Sequence, residues 1–238
     1  MPFDKTLWIV SYPDPHWLLA HAQQTGVGTV AIRTTNNIGV ALPVFHQHGI
    51  KVFGWRWPSA TMAGATAEAH HAVQLLSQGM DGYIADPEGE PGASYDWNRP
   101  GLEHVAEQFC GIIRHAHPDK PFGVTSHYRA RHLFPHLPWS VFIPAATVCL
   151  PQSYWRVAGG PVHHGNPAEN YADGIQAWTE VGAPPETIVP MGGEIAHSTA
   201  AQIHQYASAA TTHGVRSLHF YTATPQVHSE VWAAIASV

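Results

Sequence analysis

The chain has 238 residues, of which 45% are hydrophobic and only 12% charged, against about 25% charged in ordinary globular chains. That composition excludes a mainly disordered chain, which needs low hydrophobicity and high charge. A net charge of -6 with no basic run excludes nucleic-acid binding through a phosphate footprint.

Short apolar, β-rich runs recur along the chain. In order they are Leu7–Tyr12, Thr29–Arg33, Lys51–Trp55, Gly82–Asp86, Phe122–Ser126, Thr147–Gln152, Thr187–Met191 and Ser217–Tyr221. Continuous apolar runs of this length fit strands buried on both faces, as parallel strands are. Between them lie segments with apolar residues three and four apart, which predict helices. These are Trp17–Gln24, Gly39–His48, Ala63–Ser77, Leu102–His115, Asn170–Val181, Thr199–His213 and Gln226–Ile235. The interval Tyr128–Pro144 holds three prolines, so its helix must be short or broken. Eight strands alternating with helices is the count of a (β/α)8 TIM barrel of the α/β class. No linker divides the chain, and residues 1–238 read as one barrel domain. A dinucleotide-binding open sheet would carry Gly-x-Gly-x-x-Gly after its first strand, and Ser11-Tyr-Pro-Asp-Pro-His16 stands there instead.

In such a barrel the chemistry sits at the C-terminal ends of the strands. The fourth run ends Ile84-Ala-Asp-Pro-Glu-Gly-Glu90. Side chains two apart on a strand share a face, with Cα atoms roughly 6–7 Å apart, so Asp86 and Glu88 are expected to point together. Two carboxyls that close resist joint ionisation, and one can stay protonated near neutral pH. Glycosidic bond cleavage needs one protonated and one ionised carboxyl. Asp86, Glu88 and, across the mouth, Glu194 after Gly192-Gly193 are therefore the candidate catalytic residues. The Gly-Gly pair also permits a phosphate site, which the adjacent Glu194 would repel.

Aromatic rings crowd the same strand ends, and flat apolar faces suit sugars. The candidate substrate-binding residues are Tyr12, Trp55, Trp57, Glu90, Trp97, Tyr128, Gln152, Tyr154, Trp155 and Tyr221. The 19 histidines suggest no metal. His46/His48 and His115/His117 fall at helix C-termini, where a cation meets the helix dipole, and His70/His71 lie mid-helix. His127, His163 and His164 are at the active end, within reach of a substrate. Two cysteines, Cys110 and Cys149, are too few for a disulfide scaffold or a thiolate zinc site. No cofactor motif is present.

The ending Gly82-Tyr-Ile-Ala-Asp-Pro-Glu88 resembles the Asp-x-Glu ending of strand four in glycoside hydrolase family 25 lysozymes. Chitinase-like barrels end that strand the same way. The resemblance implies a retaining-type site on peptidoglycan or a related amino-sugar polymer, with Glu88 as the general acid and Asp86 as its partner. It has departures. The family carries an Asp at the end of strand one, where the nearest here is Asp14, and its Trp-Gln-Tyr on strand eight is replaced by His219-Phe-Tyr221. Acids on strands four and seven are similar to those of the large barrel glycosidase clan, with Pro87 where that clan has Asn. The first reading is thus a cell-wall glycan hydrolase. The others are a silent carbohydrate-binding barrel and a sugar-phosphate enzyme. The N-terminus lacks a signal-peptide pattern and no run of about 18 apolar residues exists. A soluble chain made in the cytoplasm is expected, with export by a route without a cleaved signal left open.

Overall fold

The computed structural model describes residues 2–11 and 14–238. Eight parallel strands alternate with eight helices in one (β/α)8 barrel. The strands are β1 (Asp4–Ile9), β2 (Thr29–Arg33), β3 (Lys51–Arg56), β4 (Gly82–Ala85), β5 (Phe122–His127), β6 (Val148–Gln152), β7 (Gly192–Gly193) and β8 (Ser217–Tyr221). The helices are α1 (Pro15–Thr25), α2 (Ile38–His46), α3 (Met62–Ser77), α4 (Glu103–Ala116), α5 (Trp139–Ala145), α6 (Pro167–Glu180), α7 (Ala200–Thr212) and α8 (Ser229–Ser237).

Consecutive strands pair in parallel from β1 to β6, and β1 also pairs with β8. The ring closes at its seventh strand in two steps. Pro190 has no N–H to give a ladder, yet the flanking N–H groups of Val189 and Met191 donate to Cys149 and Pro151 of the β6 edge at 2.8 and 2.7 Å. Gly192 and Gly193 then pair with Phe220 and Tyr221. The expected strand Thr187–Met191 is thereby shifted: Pro185–Thr187 is a 3-10 turn and the β8 pairing falls two residues later.

Strand alternation builds two cores. Leu7, Ile9, Val30, Ile32, Val52, Tyr83, Ala85 and Cys149 face the helices. Trp8, Ala31, Trp55, Ile84, Leu150 and Met191 fill the barrel itself, in the layered way of this fold. Five of the eight helices start on capping residues that supply acceptors for free N–H groups. Thr61 caps α3, Asn166 caps α6, and Thr199 with Gln202 forms a reciprocal capping box at α7. Asp14, the carboxyl that follows strand one in the sequence, caps α1 by accepting from the His16 N–H. The proline-rich interval yields a 3-10 turn and the seven-residue α5. Both cysteines are buried and unpaired, and burial pushes their thiols up to about 12 and 11. No helix among the described residues is long and apolar enough to cross a membrane.

Candidate active site

Asp86 directly follows β4. Its N–H donates to Arg56 O at 2.9 Å, so the ladder with β3 runs one residue beyond Ala85. Alternation places Asp86 inward, above Ile84, and Glu88 two positions further up. Ser126 Oγ donates to Pro87 O at 2.7 Å, and the Trp97 N–H donates to Glu88 O at 2.8 Å. These bonds clamp the Asp-Pro-Glu segment from both sides.

Gln152, the last residue of β6, donates through Nε2 to Asp86 Oδ1 at 2.8 Å. Asp86 is only 3% exposed. Burial first, then the nearby Glu88 charge, push its carboxyl well above the usual carboxylate range; Trp57 and Gln152 work against that rise. The Trp57 indole N–H lies near enough to favour the ionised form without closing a hydrogen bond of good geometry. Burial also raises Glu88, helped by the Glu90 charge and opposed by Gln152. Asp86 is thus the more deeply buried of the pair. Two neighbouring carboxyls with raised proton affinity can retain a proton near neutral pH.

Glu194 stands on the turn after β7, where its N–H donates to Arg156 O at 2.6 Å. Its carboxylate lies 3.5 Å from His197 Nε2. Partial burial raises its carboxyl, while His197 and the Ala158 N–H oppose the rise. Tyr154 and Tyr221 stack at 5.0 Å with 13° between their planes. Asp86, Glu88 and Glu194 all raise the phenols of both tyrosines, with burial the larger cause. The tyrosine pair therefore sits among all three carboxylates at one mouth.

The other expected residues divide by where their rings go. Trp57 is half-buried at the rim, with Tyr95 stacked 6.3 Å away. Glu90 is exposed and accepts a short hydrogen bond from Tyr95. Trp55 lies beneath them, fully buried, with its indole N–H on Ile9 O at 3.0 Å. Trp97, Tyr128 and Trp155 are buried in packing around the barrel wall. Trp97 donates to Pro58 O and meets Phe142 edge-on. Trp155 packs against Tyr206, and Tyr128 stacks on His127. A ring with no exposed face offers nothing for a sugar to stack on. Tyr12 lies outside the described residues.

Arg33 was not singled out by sequence. It ends β2 on the inward register and its guanidinium lies 5.8 Å from the Trp57 ring centre; that register at a strand end is the signal that could have found it. The Gly192-Gly193 pair has a packing explanation. A Cβ on Gly193 would come 2.4 Å from Tyr221 O, and one on Gly192 would come 2.9 Å from Trp155 and Tyr206.

No family model matches the chain, and no curated protein does. Solved structures do. The spore cortex-lytic enzyme SleL of Bacillus cereus matches with TM-score 0.68 at 9% identity, over 98% of this chain and 73% of that one. A class V chitinase of Pseudomonas fluorescens Pf-5 matches with TM-score 0.66 at 9% identity, over 99% of each chain. The chitinase domain of spore coat protein CotE from Clostridium difficile matches with TM-score 0.54 at 15% identity, over 80% of this chain. The chain spans only 64% of that domain. Structural neighbours thus include chitinase-like and other glycoside hydrolase barrels, without singling out the family 25 lysozymes. Putative deoxyribose-phosphate aldolases share the barrel as well. At these identities the likeness concerns the fold.

Proposed function

We propose that the chain is a glycoside hydrolase acting on a cell-wall or related amino-sugar glycan, as its neighbours SleL and the class V chitinase are named for comparable work. The observation that carries this reading is the Asp86–Glu88 carboxyl pair. It is buried at the C-terminal mouth, joined through Gln152, and framed by the half-buried Trp57, Tyr154 and Tyr221. Glu88, the more accessible of the two, holds the proton and delivers it to the leaving oxygen. Burial, helped by the Glu90 charge, keeps the proton affinity of Glu88 high, and the Glu88 charge in turn raises Asp86. The more exposed Glu194 and the pair then face each other across the sugar.

One observation favours a second reading, a barrel that binds glycan without cutting it. Both members of the pair have raised proton affinity, whereas cleavage needs one group ionised. On the hydrolase reading Glu194, whose rise is opposed by His197 and the Ala158 N–H, supplies that charge. A Schiff-base aldolase form of the sugar-phosphate reading fits poorly: it needs a lysine at the mouth, and Lys5, Lys51 and Lys120 all lie toward the N-terminal ends of their strands.

Release of reducing ends from purified peptidoglycan and from chitin oligomers tests the proposal. The parent chain should cleave at least one of them. Glu88→Gln should lower turnover by about 10²–10⁴-fold, with glycan affinity retained. Near-full activity in Glu88→Gln moves the acid role elsewhere, and tight binding without cleavage by the parent selects the silent barrel.

A further inference from the structure

The connection between β6 and α6 carries a second cluster of chemistry, away from the three carboxylates. A short hairpin, Arg156–Val157 with Gly160–Pro161, leads into a tight turn in which the Gly165 N–H donates to Val162 O at 2.8 Å. Asn170, wholly buried on α6, pins this turn. Its Nδ2 donates to both Val162 O and Tyr154 O, at 3.1 and 2.8 Å. His163 and His164 thereby hang over the first turns of α6, where Glu169 and Asp173 occupy one face, four residues apart.

Four side chains converge there. Asp173 Oδ2 lies 3.6 Å from His163 Nδ1 and 3.0 Å from His164 Nε2, and the three ligand atoms are all within 4.8 Å of one another. A four-coordinate zinc ion with bonds of about 2.0–2.1 Å spaces its ligand atoms roughly 3.3 Å apart. The two measured separations straddle that value. The remaining nitrogen of His164, Nδ1, lies 3.3 Å from Glu169 Oε2. This is the outer carboxylate that fixes the tautomer of a metal-ligating histidine, leaving Nε2 free to bind. The His163 ring is held edge-on by Tyr128 at 5.8 Å. Beside the cluster a cavity of about 270 Å³, lined by Arg129, His132, Asp173 and Glu180 among others, leaves room for a fourth, exogenous ligand.

We propose that His163, His164 and Asp173 form a binding site for a zinc-like divalent transition cation, with Glu169 as the supporting carboxylate. Two imidazoles and one carboxylate suit Zn²⁺ or Cu²⁺ rather than the all-oxygen shells of Ca²⁺ and Mg²⁺. The ion ties the β6–α6 connection to α6, and Asn170 links that connection to the backbone of Tyr154 at the mouth. The site does not depend on the glycan reading.

The test uses the full chain, stripped with a chelator and titrated with ZnCl2 by calorimetry, with Co²⁺ absorption as a second readout. One equivalent should bind with a micromolar or tighter Kd, and Co²⁺ should give the intense visible bands of a four-coordinate site. His164→Ala and Asp173→Asn should each weaken the first equivalent by more than tenfold. Glu169→Gln should weaken it by about 10–100-fold. The double change of the mid-helix pair His70→Ala and His71→Ala should leave it unchanged. Thermal melts without metal report folding, and a ligand variant that fails to fold is replaced by His163→Gln. The assignment is overturned if no equivalent binds tighter than millimolar, or if the first equivalent survives His164→Ala and Asp173→Asn unchanged.

Discussion

Gln152 reaches across the width of β5 to donate to Asp86 at 2.8 Å, so strands four and six hold one carboxyl between them. The same amide favours the ionised form of Glu88. Replacing it with an apolar side chain of similar size removes the donor from both carboxyls. Gln152→Met should therefore move both limbs of the pH–activity profile to higher pH and lower kcat/KM. A profile that falls in height without shifting would reduce Gln152 to a packing residue.

Asp86 also sets a pH dependence of stability. Burial and the Glu88 charge raise its folded proton affinity well above the usual carboxylate range, and the unfolded group titrates near 3.9. A raised group contributes its stability fully below the unfolded value and loses it as pH rises through the folded one. Asp86→Asn should therefore be more stable than the parent at neutral pH, with a gap that widens as pH climbs above about 4. Urea unfolding at several pH values measures it, and a constant gap contradicts the burial argument.

His219 works in the opposite sense. The Trp8 indole N–H donates to its Nδ1 at 3.0 Å inside the barrel, which requires a neutral ring with an acceptor at that nitrogen. Burial lowers the folded group to about 3, while the unfolded one titrates near 6.5. A depressed group contributes its stability above the unfolded value and loses it as pH falls through the folded one. The parent should lose up to about 1.4 kcal/mol per pH unit from this residue below pH ~6.5. His219→Gln should flatten that slope in melts between pH 7 and pH 4; an unchanged slope assigns the acid sensitivity elsewhere.

The Tyr154–Tyr221 stack offers a ring face at the mouth. Tyr154→Ala should raise KM for a chitin oligomer about tenfold, as expected for the loss of roughly 1.4 kcal/mol of stacking. Tyr154→Phe should keep most of the affinity. If the two variants behave alike, the hydroxyl rather than the face does the binding, and calorimetric titration with the oligomer separates the cases.

The barrel was legible because strands buried on both faces leave unbroken apolar runs, and the helices between them leave apolar residues three and four apart. The Asp86–Glu88 pair was legible because period-two alternation continues past Ala85. Ring direction in loops was not. Trp97, Tyr128 and Trp155 follow strand ends just as Trp57 and Tyr154 do, but a loop has no period from which to read inward from outward. Strand seven was displaced because Pro190 interrupts its ladder. The meeting of His163 and His164 with Asp173 depends on how one turn is pinned by Asn170, a contact that no local pattern encodes.

Beneath the carboxylates, Trp8, Trp55, Ile84, Leu150 and Met191 plug the barrel. The cavity of about 590 Å³ at the far end, bordered by Lys5, Thr29 and Lys51, is cut off from them by that plug. The mouth is therefore a dish with one opening. Any molecule that reaches Asp86 must enter and leave by the same side.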